Sequence, residues 1–215
     1  EFLKANINDT DTLDKLFQEK SYEALLHFAG FVQVEESLKY PEIYFNNNTE
    51  NSSILFENCV NNGLKNIIFS SSAAVYGNSE KQLVQEDFNL NPLNPYGKSK
   101  VLTENKLIQM QKENKINYVI LRYFNVAGAD SKLRSGLISD NPTHLIKIAS
   151  EAAVKKRDYV SIYGNDYNTR DGTAIRDYIH VSDLADIHVK SLEFLLKKKH
   201  STIMNCGYGK GYSVK

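Results

Sequence analysis

The stretch Asn66-Ile67-Ile68-Phe69-Ser70-Ser71-Ser72-Ala73-Ala74-Val75-Tyr76-Gly77 passes from an apolar run into three consecutive serines, then into small residues and a glycine. An apolar run bounded by turn residues reads as a buried strand, here Asn66 to Ser71, whose carboxyl end opens into a loop. Upstream, Ala24-Leu25-Leu26-His27-Phe28-Ala29-Gly30 has the same form and predicts a buried strand ending in a glycine turn. Downstream, Asn117 to Tyr123 is a third, dense in Val, Ile and Leu. The segments between them have helical spacing. One helix is predicted from about Asn47 to Val60, with Ile54, Leu55, Cys59 and Val60 on its apolar side and Gly63 at the capping position. Another opens at Pro95, a proline suited to the first turn, and runs to about Glu113. Strands alternating with helices argue for βαβ units and a mostly parallel sheet. The fold class is α/β.

The same reading extends to both ends. Phe2 to Ile7 is strand-like, and Asp9-Thr10-Asp11-Thr12 offers an N-cap to a helix striped by Leu13, Leu16 and Phe17. After Asn125 the regularity loosens, leaving a helix at about Thr143 to Lys156 and a short strand at Val160 to Tyr163. Asp177 to Val181 and Thr202 to Cys206 read as strands flanking a helix capped by Ser182. Lys197-Lys198-Lys199 is a solvated helix end, where cations complement the dipole.

Composition narrows the function classes. The 215 residues are 41% hydrophobic and 24% charged, an ordinary globular balance. Lys+Arg and Asp+Glu both number 26, so nothing points to a nucleic-acid or anionic-membrane surface. No apolar run approaches membrane-spanning length. Cys59 and Cys206 make no disulfide framework, so a reducing, cytoplasmic setting is expected and both are read as small core residues. His27, inside an apolar strand, is read as a hydrogen-bonded core residue.

Tyr96 and Lys100 lie four apart on the predicted helix, a turn of about 400° and a rise of about 6 Å, so they share a face. Tyr titrates near 10 and is a poor base at neutral pH; lowering it by three units takes about 4 kcal/mol, which a nearby ammonium can help to supply. The spacing alone is weak, since about one such pair is expected by chance among 13 Tyr. Its setting strengthens it. The strand before it ends in Ser70-Ser71-Ser72, and in an open α/β sheet ligands bind outside the carboxyl ends of strands.

These segments resemble the extended short-chain dehydrogenase/reductase family, and within it the sugar-nucleotide 4-epimerases. The matching stretches are His27-Phe28-Ala29-Gly30, Ser70 to Gly77, Asn94-Pro95-Tyr96-Gly97-Lys98-Ser99-Lys100, Leu121 to Ala129, Gly164-Asn165-Asp166-Tyr167 and Asp171 to Val181, spread over nearly the whole chain in family order. The resemblance implies a Rossmann-like, doubly wound parallel sheet with part of a smaller substrate-binding domain. It divides the chain into 1–125, an incomplete NAD-binding domain; 126–176, a UDP-sugar region; and 177–215, a return to the first domain and the start of the C-terminal part.

The implied activity is NAD-dependent 4-epimerisation of a UDP-sugar, UDP-glucose and UDP-galactose, within galactose metabolism. Tyr96 is then the base and acid, Lys100 tunes it and holds the nicotinamide ribose, and Ser72 bridges to the sugar 4-oxygen. Asn6, Ile7, Phe28, Ala29, Gly30, Asn47, Ser70 and Tyr123 match positions along NAD; Asn125, Leu145, Tyr163 and Arg176 match positions around UDP. A guanidinium suits the diphosphate because it bonds phosphate oxygens bidentately. A homodimer through a four-helix bundle of the helices from about Asn47 and Pro95 is implied, with Leu102, Lys106 and Gln109 making part of the second helix polar. No metal is implied, although His180, Asp183 and His188 have donor chemistry.

The departures also matter. No glycine precedes Gly30, so the family's glycine-rich pyrophosphate loop is not in this chain, which starts on Glu1 rather than Met. The chain reads as a piece lacking two central strands and the sugar-pocket segment after Lys215. Taken alone it is expected to bind NAD poorly, with the strands at Leu25 and Ile67 stripped of neighbours. Asn6, Val32 and His144 replace the family's usual Asp, Lys and Asn. Ala73 and Ala74 stand where the related 4,6-dehydratases place Asp-Glu, and two methyl groups cannot move protons. Other UDP-sugars, UDP-N-acetylhexosamines among them, and a non-catalytic nucleotide-sugar binder stay open as alternatives.

Overall fold

The computed structural model describes residues 2–79 and 83–215. In chain order the elements are α1 (Thr10–Glu19), β1 (Leu25–His27), α2 (Val34–Lys39), α3 (Pro41–Phe45), a π-helical turn (Asn46–Glu50), α4 (Asn51–Asn61), β2 (Asn66–Ser72) and a 3₁₀ turn (Ala73–Val75). There follow α5 (Pro95–Lys112), β3 (Asn117–Tyr123), β4 (Asn125–Ala127), α6 (Leu145–Ala153), β5 (Ile175–His180), α7 (Val181–Lys198), β6 (Thr202–Cys206) and β7 (Gly211–Ser213). The chain divides into two compact units, Glu1–Arg122 with His188–Asn205, and Tyr123–Ile187 with Cys206–Lys215.

The first unit is built on the sheet β1-β2-β3-β6. β1 and β2 run parallel, with Leu25 opposite Ile67 and His27 opposite Phe69. Ile67, Ile68 and Phe69 are fully or almost fully buried, as are Val119, Ile120 and Leu121 of β3. Full burial contributes about 1.5–3 kcal/mol for each such side chain. Leu55, Phe56 and Cys59 of α4 and Leu107 and Met110 of α5 complete this core. The sheet is therefore buried under helices, as a parallel sheet requires.

Several expectations are corrected. Residues 2–6 form no strand and Ile7 begins a turn, because a strand needs a hydrogen-bonded neighbour and none of the described residues supplies one. β1 is only three residues long; Phe28 beyond it is exposed. The strand at Ile67 is not stripped of neighbours, since β2 lies between β1 and β3; among the described residues β1 forms an edge. The helix expected from Asn47 begins earlier, at Pro41 in the first helical turn, and passes through the π turn into α4. Ile54 is exposed, because it lies about 100° from Leu55 and about 140° from Cys59 around α4, at the margin of the buried stripe. Val160 to Tyr163 makes no strand and is largely exposed. The helix after β5 starts at Val181, so Ser182 lies inside it; its N–H donates to Nδ1 of His180.

Other expectations hold in detail. Asp9 caps α1, accepting from the Thr12 N–H at 3.2 Å and the Thr12 hydroxyl at 2.7 Å, which holds its carboxyl below the ordinary carboxylate range. Gly63 closes α4 at φ +85°, a conformation that favours glycine. Cys59 and Cys206 are buried.

The second unit carries the sheet β4-β5-β7. β4 and β5 are parallel, with Asn125 opposite Tyr178, and β5 and β7 are antiparallel, with Arg176 opposite Tyr212. β4, β7 and α2 have no clear sequence signal at three to six residues each. Asp177 holds the turn after β6, its carboxylate accepting from the Tyr208 N–H at 3.1 Å and the Gly209 N–H at 2.7 Å. No helix among the described residues is long and apolar enough to cross a membrane.

Candidate active site

The site is assembled where β2 ends against the start of α5. Ser72 is the last strand residue, and its hydroxyl accepts from the Ala74 N–H at 3.1 Å, capping the 3₁₀ turn. The cap fixes the serine's rotamer. On the other side, Asn94 caps α5 by accepting from the Gly97 N–H at 2.8 Å, and Pro95 sets the first helical φ. Gly97 permits contact between the two pieces, since a Cβ there would sit 2.7 Å from the Ala74 carbonyl oxygen. Tyr96 is thereby brought to hydrogen-bond Ser72. The strand-end serine therefore does both things that its position allows.

Lys100 lies one turn further along α5, 4% exposed. Its Nζ donates to the Ser70 carbonyl at 2.9 Å and lies 4.9 Å from the Phe69 ring centre and 6.0 Å from that of Tyr96. Burial pulls the ammonium down to about 8, against the opposing pull of the Glu104 carboxylate. The expected lowering of Tyr96 by Lys100 is not found in this chain. Burial of the half-buried ring raises the phenol above its ordinary value, and the Ser72 hydrogen bond opposes that only in part. The ammonium is directed at the strand rather than at the phenol.

His27 sits behind this site as a core residue, as its sequence setting predicts. Its Nε2 lies 2.8 Å from the Ser52 hydroxyl, and its ring packs on Phe56 and Phe69. Burial, with Lys100 nearby, drops its titration to about 3, so it is neutral at physiological pH.

The residues expected along the cofactor and those expected around UDP lie in different parts of the chain. Gly30 stands beside Lys100 and the π turn: a Cβ there would lie 3.2 Å from Asn48 Oδ1 and 3.5 Å from Lys100 Nζ. Phe28 and Ala29 are exposed next to it, and Asn47 is half-buried, its Nδ2 donating to Asn48 Oδ1 at 3.1 Å. Asn6 is exposed and Ile7 packs against the core of the first unit. Tyr123 is half-buried at the end of β3. Asn125, Leu145, Tyr163 and Arg176 belong to the second unit. There Asn125 opens β4, Leu145 opens α6, and Tyr163 is 86% exposed. Arg176 is exposed on β5, its Nη1 donating to the Ile175 carbonyl at 2.8 Å. Val32 and His144, the two other departures, are exposed.

Sequence reasoning misses Asn48. Its amide donates to the Phe31 carbonyl at 3.0 Å and to Ser99 Oγ at 3.2 Å, while its oxygen accepts from the Phe31 N–H at 2.8 Å. It thus clamps the segment after Gly30 to α5. The π turn that aims it is signalled only by the run Asn46-Asn47-Asn48, whose high helix cost is otherwise unexplained.

Comparison with known proteins decides the family. The pattern of the NAD dependent epimerase/dehydratase family matches residues 1–207.

The chain belongs to the NAD dependent epimerase/dehydratase family.

Within that family it is 46% identical over 213 residues to UDP-glucose 4-epimerase of Azospirillum brasilense, covering 99% of this chain and 61% of that protein. The chain thus spans about three fifths of the length of this curated relative. Among solved structures, UDP-glucose 4-epimerase from Brucella ovis in complex with NAD superposes with a TM-score of 0.95 at 39% identity, covering all of this chain and 66% of that one. The enzyme from Stenotrophomonas maltophila with bound NAD and formylated UDP-arabinopyranose gives 0.94 at 37%, with 99% and 64% covered. The family's Rossmann-like α/β fold is the fold of this chain.

Proposed function

We propose that the whole protein is a UDP-glucose 4-epimerase that uses NAD, interconverting UDP-glucose and UDP-galactose at C4. One observation carries this reading: a strand-end serine hydrogen-bonded to a tyrosine, with a buried lysine one helical turn further on. A pure nucleotide-sugar binder has no use for a phenol and an ammonium so arranged, while oxidation of a secondary alcohol needs a proton acceptor at the hydroxyl. The names and ligands of the relatives support the same reading.

The residues present fit the nicotinamide-ribose end of NAD. Gly30 leaves open the space beside Lys100 that a Cβ would fill. Among the described residues the Lys100 ammonium has one hydrogen-bond acceptor, the Ser70 carbonyl, so two of its three N–H donors are available to ribose hydroxyls. Gly30, Phe28, Ala29, Asn47, Ser70 and Tyr123 would line it, with Asn6 and Ile7 toward the adenine. NAD, when bound, would supply a reversible hydride acceptor for C4 and a positive ring charge.

The protein's own groups handle the proton. Ser72, oriented by its capping bond, holds the 4-oxygen in line with the phenol. Tyr96 takes the hydroxyl proton as the ketone forms and gives it back as the alcohol is restored. In the chain by itself burial keeps the phenol protonated, the donating form; positive charge beside it favours the accepting form. Asn125, Leu145, Tyr163 and Arg176 are the proposed holders of the UDP part, with Arg176 at the diphosphate. A homodimer through α4 and α5 is proposed as well; Ile54 and Leu102 are exposed apolar residues on those helices, and a monomeric mass by light scattering overturns it.

The test is to supply the purified whole protein with UDP-glucose and no added NAD. UDP-galactose is the expected product, and a 4-keto-6-deoxy sugar nucleotide or no conversion overturns the reading.

A further inference from the structure

Behind the serine-tyrosine pair lies a buried ion pair that the proposed chemistry does not use. Glu104 and Arg122 have side chains 0% and 3% exposed. The contact is bidentate, Arg122 Nη2 to Glu104 Oε2 at 2.7 Å and Nε to Oε1 at 3.1 Å. The same carboxylate accepts from the Ser71 hydroxyl at 2.5 Å. The guanidinium in turn donates through Nη1 to the Tyr76 hydroxyl at 2.8 Å and to the Glu86 carbonyl at 3.0 Å. Tyr76 donates onward to Asn205 Oδ1 at 2.7 Å.

The placement of these contacts is informative. Tyr96, Lys100 and Glu104 repeat every four residues, so each successive turn of α5 presents one of them on nearly the same face. Each bonds one of three consecutive serines: Tyr96 to Ser72, Lys100 to the Ser70 carbonyl, Glu104 to Ser71. Glu104 is thus the third rung that ties α5 to β2. Arg122, at the end of β3, braces that rung and also holds Tyr76, four residues after Ser72. We propose that Glu104 and Arg122 are positioning residues that set the register of α5 on β2 and so the approach of Tyr96 to Ser72. This rests on the functional reading above.

Energetics separates positioning from simple stabilisation. A buried ion pair gains little over a well-packed apolar pair of similar volume, and exchanging one for the other is often neutral or stabilising. What an apolar pair lacks is direction: N–H···O bonds fix length and angle, whereas methylenes slide. A misplacement of about 1 Å at a reacting pair can cost a hundredfold in rate.

The experiment replaces both partners together, Glu104→Leu with Arg122→Met, in the whole protein. Thermal melting, initial rates with UDP-glucose and titration of ¹³C-labelled tyrosine are measured beside wild type, with the Tyr96 resonance assigned by its loss in Tyr96→Phe. The expected result is cooperative melting within a few degrees of wild type, kcat lower by about ten- to a hundredfold with KM nearly unchanged, and a displaced Tyr96 titration. Glu104→Gln, which can still accept from Ser71, should recover much of the lost rate. A double variant with kcat within about twofold of wild type and an unmoved Tyr96 titration overturns the proposal. Failure to melt cooperatively also overturns it, because the pair would then be holding the fold rather than the register. A wild type without epimerase activity sinks the functional reading alone, since the tyrosine titration still reports on register.

Discussion

Lys100 Nζ and the Ser70 carbonyl oxygen are 2.9 Å apart, so the ammonium is fastened to the backbone two residues before the serine that holds Tyr96. One turn of helix and one strand end thereby share a charge that neither meets in water.

Folding lowers Lys100 from the ordinary 10.5 to about 8. Between those values the unfolded chain holds more protons than the folded one, so stability rises with pH across that window and the charged lysine is a burden below it. Lys100→Met removes the burden and also the Ser70 bond. The melting temperature of the variant minus that of wild type should therefore be more positive at pH 7 than at pH 10. A gap that is equal at both pH values, or larger at pH 10, contradicts the buried-ammonium assignment.

His27 gives the mirror case on the acid side. It titrates at about 3 when folded against an ordinary 6.5, so its neutral form contributes stability that is complete above about 6.5 and lost as pH falls toward 3. At pH 5 the loss is about 2 kcal/mol. Denaturant midpoints at pH 7 and pH 5 should draw closer together in His27→Gln than in wild type. An unchanged pH dependence would place the acid sensitivity elsewhere.

Tyr96→Phe in the whole protein removes the proposed proton acceptor and leaves the ring. Turnover should fall by about 10²–10⁴ while bound NAD is retained. Near-normal turnover would mean that another group carries the proton.

Gly97→Ala probes the contact between α5 and the 3₁₀ turn. Its Cβ would meet the Ala74 carbonyl at 2.7 Å and Pro92 Cβ at 3.0 Å, neither of which is a flexible tip. Overpacking typically costs about 1–3 kcal/mol, and the helix preference of alanine returns about 1 kcal/mol. The expected net result is a lower melting temperature, with turnover down about tenfold or more because Tyr96 is pushed off Ser72. Full activity in a variant as stable as wild type would show that this contact does not set the pair.

The sequence exposes some of this architecture and conceals the rest, for identifiable reasons. β2, β3 and α5 were legible because their burial is continuous and their ends carry strong local signals: three serines, Asn94-Pro95, and a stop before Asn117. The Tyr96 and Lys100 placement follows from helix geometry alone. The direction of the Tyr96 shift was not legible, because it depends on how much water the ring loses and on where Lys100 points, both set by tertiary packing. Phe2 to Ile7 misled because β-propensity describes a residue's fitness for a sheet and is silent on whether a neighbour is present. Glu104 and Arg122 sit 18 positions apart on different elements, and only the fold brings them together.

The π turn at Asn46–Glu50, closed by the Asn51 N–H on the Asn46 carbonyl, gives the helix from Pro41 to Asn61 two phases joined at one point. Tightening that turn to ordinary helix at the same chain length would swing everything before it by about 100° relative to everything after. Tyr44 would turn out of its enclosed seat while Leu55 and Phe56 kept theirs. For this chain, the wide turn is therefore what lets Tyr44 before it and Phe56 after it be enclosed at the same time.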